Sequence, residues 1–161
     1  MELRSRSNDR CVWRDDQGEL TSELWVKLQP FVPATLYNGE WILHSVNNIF
    51  RFYRYKEGGE FKPHFDNVFR NGDIQSHFSL LIYLNDDFEG GKTLFFSWKP
   101  SGAKYEAQHV QIEPKTGYAC IFPHTGNLSP LHSGLPHTTP GHFKYVIRSD
   151  IMYKRLPSTS F

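Results

Sequence analysis

Tyr55-Lys-Glu-Gly-Gly-Glu-Phe-Lys-Pro-His64-Phe-Asp66 is the stretch on which the reading of this chain turns. His64 and Asp66 stand two positions apart, so on an extended strand both side chains leave the same face. An imidazole nitrogen and a carboxylate oxygen then sit side by side, as two corners of a metal site. One more histidine from elsewhere completes a two-histidine, one-carboxylate facial triad, the arrangement that leaves three positions on a metal open to other ligands. A His-x-Asp alone is as readily a polar surface turn, so its meaning depends on its surroundings. His124, His132, His137 and His142 are the later histidines that could supply the third corner.

Working outward, segment 49–55 alternates, with Phe50 and Phe52 on one face and Arg51, Tyr53 and Tyr55 on the other. Segment 79–85 sets Leu80, Ile82 and Leu84 against Leu81, Tyr83 and Asn85 in the same way. Gly90-Gly91 precedes a strand at Thr93-Leu-Phe-Phe, and further strands are predicted at 108–112 and 118–122. Residues 67–77 read as a turn-rich loop, and 123–141, with their prolines, glycines and histidines, as another. The last strand runs from Phe143 to about Tyr153, with Lys144, Val146 and Arg148 on one face. Tyr, Arg, Lys and Asn on the polar sides suit the lining of a cleft that holds an anion better than a solvated sheet face.

Before Ile49 the pattern differs. Residues 1–19 read as a solvated arm. Thr21 is placed to cap a helix through Gln29, with Leu20, Leu24, Trp25 and Leu28 on one face and Pro30 and Pro33 beyond its end. This helix is expected to brace a sheet. Residues 34–48 read as turns around Trp41-Ile-Leu. A helical start followed by many short strands fits a mainly β, jelly-roll or barrel fold better than alternating β-α units.

Composition agrees. The 161 residues suit a single domain, and 13 Phe, 8 Tyr and 4 Trp beside 10 Pro and 12 Gly suit a turn-rich β fold. Lys and Arg number 18 against 17 Asp and Glu, which argues against nucleic acid or an anionic membrane as partner. No apolar run reaches membrane-spanning length, and the first residues lack the apolar stretch of a signal peptide. Cys11 and Cys120 form no Cys-x-x-Cys pair, so two free thiols and a cytoplasmic, reducing location are expected.

Several segments resemble, in order, those of iron(II)/2-oxoglutarate-dependent dioxygenases of the prolyl 4-hydroxylase-like family. The Tyr55–Asp66 stretch is similar to that family's first metal-binding segment, with a Tyr nine residues before the His. Tyr83-Leu-Asn, Gly90-Gly91-Lys-Thr-Leu-Phe and the Pro-Lys-Thr-Gly turn between two strands follow, then Leu131-His132-Ser-Gly-Leu-Pro and the closing Lys144–Tyr153. The resemblance spans roughly residues 49–155.

It implies a double-stranded β-helix, a cupin-like jelly roll, as the catalytic part at 49–155, with 1–48 as arm and bracing helix. It also implies iron(II) on His64, Asp66 and His132, with His124 the next choice for the third ligand. 2-Oxoglutarate and O2 would be co-substrates, with L-ascorbate as a further cofactor. The reaction implied couples decarboxylation of 2-oxoglutarate to succinate with hydroxylation of an unactivated, prolyl-like carbon in a peptide, protein or small molecule. Lys144 is expected to hold the far carboxylate of 2-oxoglutarate, with Arg148 nearer the iron or substrate. Tyr55 and Tyr83 are expected to donate phenolic hydrogen bonds to that carboxylate or orient it, and Asn85 either to support the co-substrate or to cap the turn before Asp86. The competing expectation is a non-catalytic cupin- or lectin-like module that binds a metal or small ligand.

Overall fold

The computed structural model describes residues 7–101, 104–124 and 129–157. In chain order its elements are β1 (Asp9–Arg14), α1 (Glu19–Leu28), a 3-10 turn (Gln29–Phe31), β2 (Thr35–Leu36), β3 (Trp41–Val46), β4 (Ile49–Lys56), β5 (Phe61–His64), β6 (Arg70–Asn71) and β7 (Ile74–Tyr83). There follow β8 (Thr93–Phe95), β9 (Trp98–Ser101), β10 (Lys104–Ala107), β11 (Val110–Ile112), β12 (Ala119–Pro123), β13 (His132–Gly134) and β14 (Phe143–Arg155).

β14 is the axis of the larger sheet. Its 13 residues are rich in β-branched and aromatic side chains and lack Gly and Pro, so nothing interrupts the ladder. One edge pairs antiparallel with β7, while the other takes β4 along its first half and β3 along its second. β1 and β2 extend that side, and β12 and β6 flank β7. A second sheet runs β11-β8-β13-β5. The two sheets face each other across a pocket whose lining comes from both. This is the jelly roll expected of the sequence.

Alternation along β14 sorts its side chains between two environments. Ile147, Ile151 and Tyr153 join Val32, Val46, Phe50 and Leu80 in the apolar core, against which Leu20, Leu24, Trp25 and Leu28 of α1 pack. Lys144, Val146 and Arg148 face the pocket instead. The helix thus covers the outer face of the large sheet, as a brace should.

Four expectations change. The arm at residues 1–19 contains β1, an edge strand whose Asp9–Arg14 pair with Arg54–Ile49 of β4. α1 begins at Glu19, ahead of Thr21, and its cap is Asp15: the carboxylate accepts from the Gly18 N–H (3.0 Å), the Thr21 N–H (2.8 Å) and the Thr21 hydroxyl (2.8 Å). A carboxylate from outside the helix satisfies the amino-terminal donors that a cap residue would otherwise take. The predicted 67–77 loop is mostly strand, since β6 folds back on the start of β7. The 123–141 segment contains β13, because tertiary pairing with β5 and β8 overrides its Gly- and Pro-rich composition. Trp41-Ile-Leu lies in β3, and the hairpin of β9 and β10 lay outside the sequence reading. Both cysteines are free thiols.

Candidate active site

His64 ends β5 and His132 opens β13, and the antiparallel register sets them directly opposite each other. Asp66 follows just past the end of β5. Nε2 of His64 lies 3.7 Å from Oδ1 of Asp66, and Nε2 of His132 lies 3.7 Å from Oδ2. Two metal–ligand bonds of about 2.1 Å each span such separations. Among the described residues, this is the cluster of three metal-ligating side chains that comes together.

The donor chemistry fits a cation. Nδ1 of His64 is 2.8 Å from the Lys62 carbonyl, and Nδ1 of His132 is 3.1 Å from the Pro130 carbonyl. A carbonyl only accepts, so each Nδ1 carries the proton and each Nε2 keeps a bare lone pair toward Asp66. Burial lowers the pKa of both imidazoles, favouring this neutral form. Burial pushes the Asp66 carboxyl up, but the Arg148 guanidinium, His132, the Ser79 hydroxyl and His64 outweigh it and hold the group below the usual carboxylate range.

Arg148 is committed beside this cluster. Its Nε donates to Oδ2 of Asp66 at 3.2 Å and its Nη2 to Oδ1 of Asp150 at 3.1 Å. Asp150, 1% exposed, also accepts from Arg51 (3.2 Å) and Asn47 (3.1 Å).

Lys144 lies deeper and is 3% exposed. Its Nζ donates to the Gly91 carbonyl and stands 5.3 Å from the ring centre of Tyr55 and 6.0 Å from that of Tyr83. A carbonyl and two ring faces leave the ammonium without a compensating negative charge, and burial brings its pKa down to about 8. Gly91 makes the approach possible. Its φ is +66°, and a Cβ there would meet the Phe88 ring at 2.7 Å and Lys144 Cδ at 3.2 Å.

Tyr55 lines the same pocket. Tyr83 is buried beside Lys144 and Thr93; its Oη is 2.8 Å from Thr93 Oγ1, and burial raises its pKa to about 12. Asn85 does not line the pocket. It donates to the Phe143 carbonyl (2.6 Å) and to Asp87 (2.6 Å) and accepts from the Tyr145 N–H (2.8 Å), which is the turn-capping alternative.

The other histidines lie outside the cluster. His142 is exposed and pairs with Asp87 at 3.1 Å. His124 and His137 are buried. His137 contacts the Tyr55 carbonyl through Nε2 at 3.2 Å, and both ring nitrogens of His124 contact serine hydroxyls. Sequence reasoning missed Ser79, which bonds Asp66, and Thr93, which bonds Tyr83. Strand parity could have found Ser79, since it shares a face of β7 with Leu81 and Tyr83.

The sequence profile of the 2OG-Fe(II) oxygenase superfamily matches residues 50–149. The chain belongs to that superfamily, and it is a dioxygenase whose family implies iron(II) and 2-oxoglutarate. In fold it is similar to the collagen prolyl hydroxylase of Paramecium bursaria Chlorella virus-1, solved with 2-oxoglutarate. That likeness has a TM-score of 0.59 at 19% identity and covers 93% of this chain and 80% of the viral one. A prolyl-4-hydroxylase from Pseudomonas putida matches with a TM-score of 0.64 at 20% identity, over 97% of this chain and 76% of that one. No curated protein matches the chain in sequence. Among the described residues no helix is long and apolar enough to cross a membrane.

Proposed function

We propose that this dioxygenase hydroxylates an unactivated carbon, with a prolyl-like ring carbon of a peptide, protein or small molecule as first choice, while 2-oxoglutarate is decarboxylated to succinate. His64, Asp66 and His132 hold iron(II), and Lys144, with Tyr55 and Tyr83, holds the far carboxylate of 2-oxoglutarate. The observation that carries this reading is the pairing, in one pocket, of a convergent His-Asp-His set with a buried ammonium that meets no carboxylate among the described residues. A module that only bound metal would have no use for the second feature.

When bound, iron(II) supplies oxygen activation coupled to decarboxylation of the co-substrate. The chain supplies the rest. The carbonyls of residues 62 and 130 fix the ring tautomers, so both Nε2 atoms are ready as donors without proton loss. Arg148 and Ser79 both bond Oδ2 of Asp66, which orients the carboxylate. Lys144 and the two tyrosines place an anion at the closed end. Next to the cluster an outer cleft is lined by Phe61, Phe65, Phe69 and Tyr53 together with Arg10 and Arg51, and on this reading it takes the substrate. The names of the two structural neighbours support a prolyl ring as that substrate, and L-ascorbate is the reductant expected to sustain turnover.

Anaerobic addition of iron(II) and 2-oxoglutarate tests the reading. A visible charge-transfer band is expected with both present and with neither alone, followed by succinate release on admitting oxygen. Iron binding without the band, and without succinate, would favour the cupin- or lectin-like binding module.

A further inference from the structure

His124 stands behind the candidate iron site, 2% exposed, and both of its ring nitrogens are engaged. Ser79 Oγ donates to Oδ2 of Asp66 and lies 2.8 Å from Nδ1 of His124. A carboxylate only accepts, so the single Ser79 proton goes to Asp66, and Nδ1 of His124 must be the donor in the second contact. On the far side, Nε2 of His124 is 2.8 Å from Ser76 Oγ, which accepts the Phe69 N–H at 2.8 Å. Burial disfavours a second proton on the ring, so Ser76 donates to Nε2. Each hydrogen bond therefore points one way: Phe69 N–H to Ser76, Ser76 to His124, His124 to Ser79, Ser79 to Asp66.

The fold builds this chain deliberately at one irregularity. The pairing of β14 with β7 slips between Ile151–Phe78 and Met152–Ser76, leaving His77 as an extra residue in β7. The extra residue resets the alternation, so Ser76 and Ser79, three positions apart, both reach one imidazole. Ser76 and Ser79 are fully buried, so water does not compete for these bonds.

We infer that His124 is a positioning residue for the metal site: as the Nδ1–H tautomer it fixes Ser79, and through Ser79 the Asp66 carboxylate, tying that ligand to the backbone of the cleft-lining segment at Phe69. The inference rests on the reading of Asp66 as an iron ligand. Partners of this kind commonly set metal affinity by about 10–100-fold. Asp150 lies 4.0 Å from Nδ1 and is the other acidic group facing the ring, but it is held by Arg51, Arg148 and Asn47.

Asparagine and glutamine separate this role from simple packing, because an Asn amide can stand in for Nδ1–H and a Gln amide for Nε2. The probe is Mn(II) alone, titrated into the full chain by calorimetry, with thermal unfolding recorded for each variant. His124→Gln and Ser79→Ala are each expected to weaken Mn(II) binding about tenfold or more. His124→Asn is expected to stay within about threefold of the parent, and the Ser79→Ala/His124→Gln double variant to bind no worse than Ser79→Ala. Nitrogen-15 NMR of the parent should show a neutral His124 ring protonated at Nδ1. Equal Mn(II) affinity in His124→Gln and the parent, additive losses in the double variant, or an Nε2–H ring would each overturn the proposal. If Asp66→Ala also bound Mn(II) like the parent, the ligand assignment itself would be at fault, and the relay would have no site to serve.

Discussion

Asp66 accepts a hydrogen bond from Arg148 at 3.2 Å, although the two residues are 82 positions apart in the chain. Arg148 lies four residues beyond Lys144 on the same face of β14, and that spacing gives the two cations different partners. Among the described residues, the guanidinium is engaged by Asp66 and Asp150, while the ammonium deeper in the pocket meets a carbonyl and aromatic faces and no carboxylate.

Lys144 should therefore govern co-substrate affinity. Lys144→Ala is expected to raise the dissociation constant for 2-oxoglutarate by at least about 30-fold, the lower end for removing one partner of a desolvated charge pair. Mn(II) affinity should stay unchanged. Equilibrium binding of both ligands to the variant checks this, and a normal 2-oxoglutarate constant would move the role to another cation.

The same lysine predicts a pH dependence. Its folded pKa of about 8 lies below the ordinary 10.5, so the native state sheds this proton before the unfolded chain does. Its contribution to stability thus rises as pH climbs from about 8 toward 10.5, while anion binding weakens over the same range. The 2-oxoglutarate constant should be flat below pH 8 and rise by up to about tenfold per unit above it. Titration at several pH values reads this directly, and Lys144→Arg should flatten the curve.

Asp66→Ala should abolish succinate formation and lower Mn(II) affinity by more than about tenfold while leaving the far-ultraviolet circular dichroism unchanged. Arg148 keeps Asp150 as partner in that variant, so no guanidinium is stranded.

Asp150→Ala should behave differently, because it leaves Arg51, Arg148 and Asn47 without their shared acceptor. Removing one member of a buried ionic network typically costs about 3–5 kcal/mol. Urea unfolding of the variant is expected to show a loss of that order.

Trypsin cleavage after Arg70 reports on the cleft edge. Arg70 is exposed in β6, directly after the cleft-lining segment 65–69. Cleavage is expected to slow when iron(II), 2-oxoglutarate and a substrate peptide are bound, as at a segment that tightens on closure. Equal rates with and without ligands would mark a plain surface hairpin.

Alternation in segments 49–55, 79–85 and 143–153 was enough to sort the inner from the outer face of each strand, because side-chain period depends on backbone geometry alone. Phe50 and Leu80 accordingly fall on the faces opposite Tyr55, Tyr83 and Lys144. The i, i+2 spacing of His64 and Asp66 is local in the same sense. The choice among four later histidines was not, since it depends on which of them a non-local pairing carries to β5. β13 has the composition of a loop and becomes a strand only because β5 and β8 flank it. Likewise Asp15 caps α1 from outside the helix, and Ser76 and Ser79 reach one imidazole only through a slip in register. Periodicity records what each segment does with its own side chains; which segments meet is set by burial and hydrogen bonding between residues far apart in the chain.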